Sequence, residues 1–333
     1  MLSIPIHEER PWQDSLADLI TDPQELLVLL GLEAQQLDLD PAVLRDFPLR
    51  LTRSFAARMQ KGNPRDPLLL QVLPQTVELQ PVPGYSSDPL QESDSNPVPG
   101  ILHKYAGRLL LMPTSSCAIH CRYCFRRHFP YTENRPNKQQ WLQSLRYIRE
   151  NKDIHELILS GGDPLAISDK YLEWLLEHLS GISHLKRLRI HTRMPVVLPQ
   201  RVTDRLCELL QRSPLKCVIV IHCNHPQELN EEVRLACRQM KSAGIELLNQ
   251  SVLLKGINDS VQVLAELSET LFDFGVLPYY LHLLDKVQGS AHFDLDESSA
   301  RALSASLRAV LPGYLVPSLV REEAGAASKT PVL

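Results

Sequence analysis

From residue 101 onward, short apolar segments alternate with longer stretches that have helical periodicity. Six strand–helix units in sequence predict a parallel sheet with right-handed crossovers. A complete barrel of this type has eight units, so the chain is predicted to be an α/β protein with a partial (β/α)6 TIM-type barrel. The predicted strands lie at 109–112, 157–160, 187–191, 217–222, 246–251 and 278–284. The predicted helices lie at 139–150, 169–180, 202–212, 228–242, 260–274 and 297–310.

Residues 1–100 read as a separate, mainly helical extension. A pattern of leucines predicts helix over 14–32, interrupted at Asp22-Pro23, and a second short helix is predicted near 41–61. A segment rich in Pro, Ser and Asp, at 80–100, is predicted to be an extended loop packed on the surface or a linker. We therefore divide the chain into an N-terminal region with its linker at 1–100, a barrel at 101–312 and a C-terminal segment at 313–333.

Polar side chains follow each predicted strand at its carboxyl end. In β/α barrels the reactive groups lie at this end of the sheet. Because the carboxyl ends of parallel strands meet at one edge, we expect these residues to form one shared active site. They are Cys117 to Cys124, Ser160 to Asp163, His191 to Arg193, His222, Asn249 with Gln250, and Asp285.

Charge and cysteine content limit the class of protein. A formal charge of −4 is too mild to indicate nucleic-acid or membrane-surface binding, and no apolar run is long enough to span a bilayer. The first residues, MLSIPIHEERPW, lack the basic and apolar segments of a signal peptide. Seven cysteines, an odd number, do not suggest a disulfide framework, so a reducing, cytoplasmic setting is predicted.

Three of these cysteines form the strongest chemical motif of the chain. Cys117, Cys121 and Cys124 have the spacing C-x3-C-x2-C, with no fourth cysteine close by. Four thiolates would close a zinc or iron–sulfur site, whereas three can hold a four-iron cluster and leave one iron open to a ligand. A zinc site completed by His120 or His128 is the alternative. The remaining cysteines are predicted to be buried or inert thiols, namely Cys207, Cys217, Cys223 and Cys237.

This motif, placed after the first strand of a partial barrel, resembles the radical S-adenosylmethionine superfamily. There the three cysteines hold a four-iron four-sulfur (4Fe-4S) cluster, whose open iron chelates the amino and carboxylate groups of S-adenosyl-L-methionine. The turn SGGDP at 160–164 resembles the superfamily's GGEP-type motif, and glycine permits a close approach of backbone and ligand. By this resemblance Gly161, Gly162 and Asp163 contact S-adenosylmethionine, with Asp163 in place of the glutamate.

The C-terminal run EEAGAASKTPVL contains a lone lysine, Lys329, among small residues. A solvated tail is one alternative, but such a lysine can also form an imine with pyridoxal phosphate. Together with the run HKYAGR before the first strand, it resembles the lysine 2,3-aminomutase family of radical enzymes. By that resemblance Lys329 binds pyridoxal 5′-phosphate, and Lys104, Tyr105 and Arg108 lie near its phosphate. Lys104 replaces an arginine of the clostridial-type enzyme, so a bidentate contact becomes a point-charge contact.

The same resemblance assigns contacts with the substrate and the cofactor cavity. Arg126 matches the residue that pairs with the substrate carboxylate, a surface arginine being the alternative. Asp285 and Glu322 match two aspartates that bind the substrate ε-ammonium, and Glu322 replaces the shorter of these side chains with a longer one. His222 and Gln250 match positions that line the cofactor cavity.

The resemblance implies an isomerase that converts L-α-lysine to (R)-β-lysine by a 5′-deoxyadenosyl radical mechanism. The runs SFAARMQKGNPRDPLLLQVLP and CRYCFRRHFPY resemble the bacterial branch that makes β-lysine for a ligase acting on translation elongation factor P. An electron donor such as flavodoxin or ferredoxin is implied as well. Three other functions stay open: an aminomutase of lysine catabolism or osmolyte synthesis, a radical enzyme without pyridoxal phosphate, and a zinc-stabilised binding module.

Overall fold

The computed structural model describes residues 11–37, 40–130 and 138–333. Within them, nine strands form one sheet whose order follows the chain from first to last. The strands are β1 (Ile101–Tyr105), β2 (Arg108–Leu111), β3 (Glu156–Leu159), β4 (Arg187–Thr192), β5 (Lys216–His222), β6 (Glu246–Val252), β7 (Leu277–His282), β8 (Ser318–Arg321) and β9 (Thr330–Pro331).

The sheet is a partial barrel, as the sequence predicts. Strands β2 to β8 run parallel, while β1 and β9 pair antiparallel at the two ends. In the described residues β1 and β9 do not pair with each other, so the barrel is not closed. The six predicted strands correspond to β2–β7. A seventh parallel strand, β8, was missed because its run SLVR directly follows Pro317, and a nearby proline argues against a strand.

All six helices predicted for the barrel are present. Most begin at a short polar side chain that accepts a hydrogen bond from a free backbone N–H of the first turn, as at Ser168, Thr203, Asn230, Ser260 and Asp296. The α-helices are α1 (Trp12–Ala17), α2 (Pro23–Leu30), α3 (Pro41–Asp46), α4 (Arg53–Ala56), α5 (Pro67–Leu70), α6 (Lys138–Glu150), α7 (Asp169–Ser180), α8 (Met194–Val197), α9 (Asp204–Arg212), α10 (Glu231–Ser242), α11 (Val261–Asp273) and α12 (Glu297–Val310). Short 3-10 helices lie at Ala34–Gln36, Thr76–Leu79, Glu92–Ser95, Pro164–Ala166, Pro199–Arg201, Pro226–Glu228, Ala291–Phe293 and Gly313–Leu315.

Alternation along the parallel strands separates the core of the protein from its cavity. Successive side chains of a strand point to opposite faces of the sheet. On β4, Leu188 and Ile190 are fully buried in the main hydrophobic core. The residues next to them, Arg189 and His191, line a cavity inside the barrel. The interior of the barrel thus holds a cavity lined by both polar and apolar side chains, whereas the outer face of the sheet is apolar and packed.

The N-terminal helices share the barrel's core. Leu26 of α2 and Phe55 of α4 belong to the same cluster of buried apolar side chains as the barrel residues. The segment 80–100 contains no α-helix or strand and is largely exposed, but Leu90 and Glu92 within it are buried and line the barrel cavity. None of the helices in the described residues combines the length and apolar character needed to cross a membrane.

Candidate active site

The residues to which a role was assigned from the sequence line one cavity of about 550 Å³, whereas Asn249, also expected at this edge, bonds the backbone of Cys223 instead. The cavity opens among the loops that follow the barrel strands, where the carboxyl ends of parallel strands bring distant segments together. The selected residues in its wall are Cys117, Cys121, Cys124, Lys104, Tyr105, Arg108, Arg126, Gly161, Gly162, Asp163, His222, Gln250, Asp285, Glu322 and Lys329.

The loop of the three cysteines is held by the glycine turn. The backbone N–H of Gly162 donates to Thr114 O at 3.0 Å, and that of Asp163 donates to Ser116 O at 2.8 Å. A Cβ added at Gly162 would lie 2.6 Å from Ser116 O, closer than packed atoms approach. Glycine is required here because the turn touches the cysteine loop, a reason additional to any contact with a ligand.

The Asp163 side chain also forms hydrogen bonds within the protein. Its carboxylate accepts hydrogen bonds from Thr192 Oγ1 at 2.6 Å and from the backbone N–H groups of Leu165, Arg193 and Met194. Burial raises the pKa of this carboxyl, and these hydrogen bonds oppose that rise. Asp163 thus joins the loops after β3 and β4, and both loops line the cavity.

The cysteine thiols need a positive partner before they ionise. Burial raises the pKa of Cys117 well above its usual value and that of Cys124 to about 11. A bound iron or other cation supplies the charge that stabilises a buried thiolate. Arg193 Nη1 also lies 2.8 Å from Cys121 Sγ, while its Nη2 forms an ion pair with Glu228 at 2.9 Å. This set of donors fits a sulfur-ligated metal group.

The zinc alternative finds no support in the geometry. Among the described residues, no three His, Cys, Asp or Glu side chains are grouped to hold a single metal ion. His120 Nδ1 lies 2.9 Å from Pro48 O, His128 Nε2 lies 3.3 Å from Gln288 O, and neither ring lines the cavity. A four-iron cluster differs, because each thiolate binds its own iron and the sulfurs stand farther apart than the ligands of one ion.

Two cations of the cavity share one buried carboxylate, Glu92. Arg126 donates to it from Nε at 2.7 Å and from Nη2 at 2.8 Å, and Lys104 Nζ lies 3.0 Å away. Burial raises the pKa of Glu92, but Arg126 and Lys104 outweigh it and the pKa is lowered. The alternative of a surface arginine is wrong, since Arg126 is only 6% exposed.

Lys329 is held inside the cavity rather than in a solvated tail. Its segment forms β9, and its Nζ lies 2.7 Å from Glu322 Oε2. Tyr105 donates from its hydroxyl to the other oxygen of Glu322, also at 2.7 Å. Burial raises the pKa of Glu322, yet the charge and hydrogen bond of Lys329 prevail and lower it to about 2. Glu322 is therefore a permanent anion beside the Lys329 amine.

Asp285 is the other carboxylate in this part of the wall. Burial and the nearby charge of Glu322 raise its pKa to about 7, although Lys329 and Lys104 act in the opposite direction. A carboxyl with this environment binds a proton readily, and a cation entering the cavity would replace that proton.

Three histidines line the floor of the cavity in their neutral form. Burial lowers the pKa of His191 and His282 well below the usual value and that of His222 to about 3. In the part of the chain that the structure describes, His191 Nε2, His282 Nε2 and Gln250 Oε1 are buried without a hydrogen-bond partner. Such atoms fit a polar ligand that completes their hydrogen bonds.

Comparison with known proteins identifies the family. The Radical SAM superfamily model matches residues 111–267. The chain is 50% identical to the L-lysine 2,3-aminomutase of Escherichia coli, over 99% of this chain and 96% of that protein. It is 49% identical to the L-lysine 2,3-aminomutase of Haemophilus influenzae, over 98% of this chain and 96% of that protein. The chain belongs to the L-lysine 2,3-aminomutase family. It is thus an isomerase with a radical SAM domain.

Membership in the family implies a 4Fe-4S cluster and S-adenosylmethionine. The described residues fit both groups. Three thiols line the cavity, Arg193 donates to one of the sulfurs, and His191 and Gln250 of the same wall each have a buried polar atom without a hydrogen-bond partner among the described residues. A more distant relative, the L-lysine 2,3-aminomutase of Clostridium subterminale, is 34% identical over 97% of this chain and 77% of that protein.

Several residues of the cavity were missed in the sequence, and His282 and Glu92 are the two with the clearest roles. His282 could have been found, since it alternates with Tyr280 on β7 and both line the cavity. Glu92 could not, because nothing in the run DPLQESDS distinguishes a buried carboxylate from a solvated one. Only the position of the segment against Arg126 and Lys104 reveals it.

Proposed function

We propose that this chain is an L-lysine 2,3-aminomutase that converts L-α-lysine to (R)-β-lysine with pyridoxal 5′-phosphate bound to Lys329. The observation that carries the proposal is that Lys329 lies in the cavity of the three cysteines, with its amine 2.7 Å from Glu322. This placement would bring the radical chemistry and the amine for pyridoxal phosphate into one cavity. The name of the relatives that are 50% and 49% identical supports lysine as the substrate.

The cysteines and the glycine turn would hold the cluster and S-adenosylmethionine, and Lys329 would hold pyridoxal phosphate. When bound, these groups supply hydrogen-atom abstraction and a carbonyl that captures the substrate amine. Lys104, Tyr105 and Arg108 would bind the phosphate. The guanidinium of Arg108 lies 4.4 Å from the centre of the Tyr105 ring, a cation–π contact that keeps both side chains in place.

The two ends of lysine carry opposite charges, and the cavity offers a partner for each. Arg126 would bind the α-carboxylate, since a guanidinium matches the geometry of a carboxylate. Asp285 and Glu322 would bind the distal ammonium. Both carboxylates line the same cavity as Arg126, which supports the binding of one amino acid between them.

The direct test is turnover of free lysine. We expect anaerobically reconstituted enzyme, given L-lysine, S-adenosylmethionine and a reductant, to form (R)-β-lysine that chiral chromatography resolves from α-lysine. Enzyme without reductant is the control and is expected to form none. Cleavage of S-adenosylmethionine without any β-lysine would contradict the proposed substrate and favour another radical reaction.

The pH dependence of lysine use tests the role of Asp285. Its pKa is raised to about 7, so it is neutral below that pH and anionic above it. Because only the anion attracts an ammonium, we expect kcat/KM to rise by about tenfold per pH unit below pH 7 and to level off above it. Asp285→Asn is expected to lose this rise and to raise KM by about tenfold or more. An unchanged inflection in Asp285→Asn would contradict the assignment.

We further propose that the product serves β-lysylation of translation elongation factor P in the cytoplasm, with flavodoxin or ferredoxin as electron donor. The runs that resemble the elongation-factor branch of the family support this role. Mass spectrometry of elongation factor P from cells with and without this gene tests it, and loss of the β-lysyl group is expected in the deletion strain. Free β-lysine that accumulates while the factor stays unchanged would favour catabolism or osmolyte synthesis.

A further inference from the structure

The geometry points to Glu92 as a positioning residue that couples the cofactor-phosphate site to the substrate-carboxylate site, an inference that rests on the proposed function. One oxygen, Glu92 Oε1, contacts both Arg126 Nη2 at 2.8 Å and Lys104 Nζ at 3.0 Å. In the proposed reaction Lys104 would bind the phosphate of the cofactor, and Arg126 would bind the α-carboxylate of the substrate. Glu92 therefore determines the distance between the place where the phosphate binds and the place where the carboxylate binds.

The contact with Arg126 orients the guanidinium. Glu92 occupies the side of the guanidinium that carries Nε and Nη2, while Nη1 lies 3.2 Å from Ser160 Oγ. A bidentate pair of this kind holds the plane of the guanidinium as well as its position. Arginine without such a partner samples several rotamers and loses entropy when it binds a ligand.

The net charge of Glu92, Arg126 and Lys104 also favours the binding of two anionic ligands. Arg126, Lys104 and Glu92 carry one net positive charge among themselves in a buried place, where electrostatic interactions are stronger than in water. Lys104 Nζ also lies 3.8 Å from Glu322 Oε1. Without Glu92 the two cations would repel each other across the site, and either could bind either anion. With Glu92 between them, each cation keeps its own position, which favours one arrangement of phosphate and carboxylate.

The backbone conformation around Glu92 helps to position its side chain. Gln91, the residue before it, has a φ of +49°, the left-handed conformation that residues other than glycine seldom adopt. The Asp88 carboxylate accepts from the backbone N–H of Glu92 at 3.0 Å and from Ser93 Oγ at 3.0 Å. Surrounding contacts must maintain such a conformation, which is typical of functional segments.

The experiment compares Glu92→Gln with wild-type enzyme in two measurements. Spectral titration measures the dissociation constant of pyridoxal phosphate, and steady-state assays measure KM and kcat for L-lysine. We expect Glu92→Gln to raise both the dissociation constant and the KM by about tenfold, because an orienting charged hydrogen bond is lost at each cation. We expect kcat to fall less than KM rises, since Glu92 does not touch the reacting atoms.

Double variants separate positioning from a merely structural role. Effects of Glu92→Gln and Lys104→Gln on the cofactor dissociation constant are expected to be less than additive, and so are effects of Glu92→Gln and Arg126→Gln on KM. A structural role would lower thermal stability and give additive effects. The matched control is Asp94→Asn, an exposed carboxylate of the same 3-10 helix, which is expected to change neither constant.

The outcomes distinguish this inference from the proposed function. If wild-type enzyme binds no pyridoxal phosphate or forms no β-lysine, the proposed function fails and this inference fails with it. If wild-type enzyme does both while Glu92→Gln alters only one constant or neither, only the inference is overturned. Should Glu92→Gln not fold, Glu92→Asp keeps the charge but is one methylene too short to reach both cations. It is expected to raise at least one constant about tenfold, and unchanged constants would overturn the inference.

Discussion

Replacing Lys329 with alanine is expected to remove the visible absorption band of bound pyridoxal phosphate and to lower turnover by about 10³-fold or more. Two lysines of the described chain line the cavity, Lys104 and Lys329. Lys104 is not expected to take over, because its amine lies 3.0 Å from Glu92 and, in the proposed site, binds the phosphate end of the cofactor. The measurement is an absorption spectrum of reconstituted enzyme without lysine, followed by an assay of β-lysine.

A matched lysine provides the control. Lys216 is exposed at the start of β5, at the end of the sheet away from the cavity. Lys216→Ala is expected to keep both the band and the activity. A band that persists unchanged in Lys329→Ala would contradict the assignment of pyridoxal phosphate to this lysine.

Replacing Cys121 with alanine is expected to remove the iron–sulfur cluster and all S-adenosylmethionine cleavage. Two remaining thiolates leave a four-iron cluster without its third protein ligand, and the buried Arg193 loses the sulfur to which it donates at 2.8 Å. Iron content per chain, visible absorption of the cluster and formation of 5′-deoxyadenosine are the three measurements. Cleavage of S-adenosylmethionine that survives the substitution would contradict the role of Cys121.

Two controls accompany the Cys121→Ala experiment. They are the substitution of another cysteine, Cys217, and the Lys329→Ala variant. Cys217 lies on β5, donates to Leu210 O at 3.4 Å and does not line the cavity. Cys217→Ala is expected to keep its iron. The two active-site variants should also be complementary, because Cys121→Ala is expected to retain the pyridoxal phosphate band and Lys329→Ala to retain cluster absorption. Loss of both signals in either variant would indicate misfolding rather than the loss of a ligand.

The barrel was predictable because its signals are local. Apolar runs bounded by turns mark β2–β7, and polar caps such as Ser168 and Asn230 mark the starts of helices. The prediction missed β8, and it did not show that Leu90 and Glu92 are buried within the predicted loop at 80–100. Proline and serine indicate a loop there, but composition does not say whether a loop lies over solvent or over a cavity.

The site was predictable as a set of residues, although not as a set of contacts. Strand ends and motifs selected the cysteines, Arg126 and Lys329, and all of them line one cavity. Their partners were not predictable. Arg126 pairs with Glu92, 34 residues earlier in the chain, and Tyr105 donates to Glu322, 217 residues later.

The sequence by itself determined the class of chemistry, because cysteine spacing, a glycine turn and strand periodicity depend on residues that are neighbours in the chain. The tertiary structure alone decided the charges of the site. Glu322 is a strong acid beside Lys329, whereas Asp285 holds a proton until about pH 7. The two carboxylates differ because the energy of a buried charge depends on what surrounds it in space. The local sequence does not show which residues will surround each carboxylate in the folded protein.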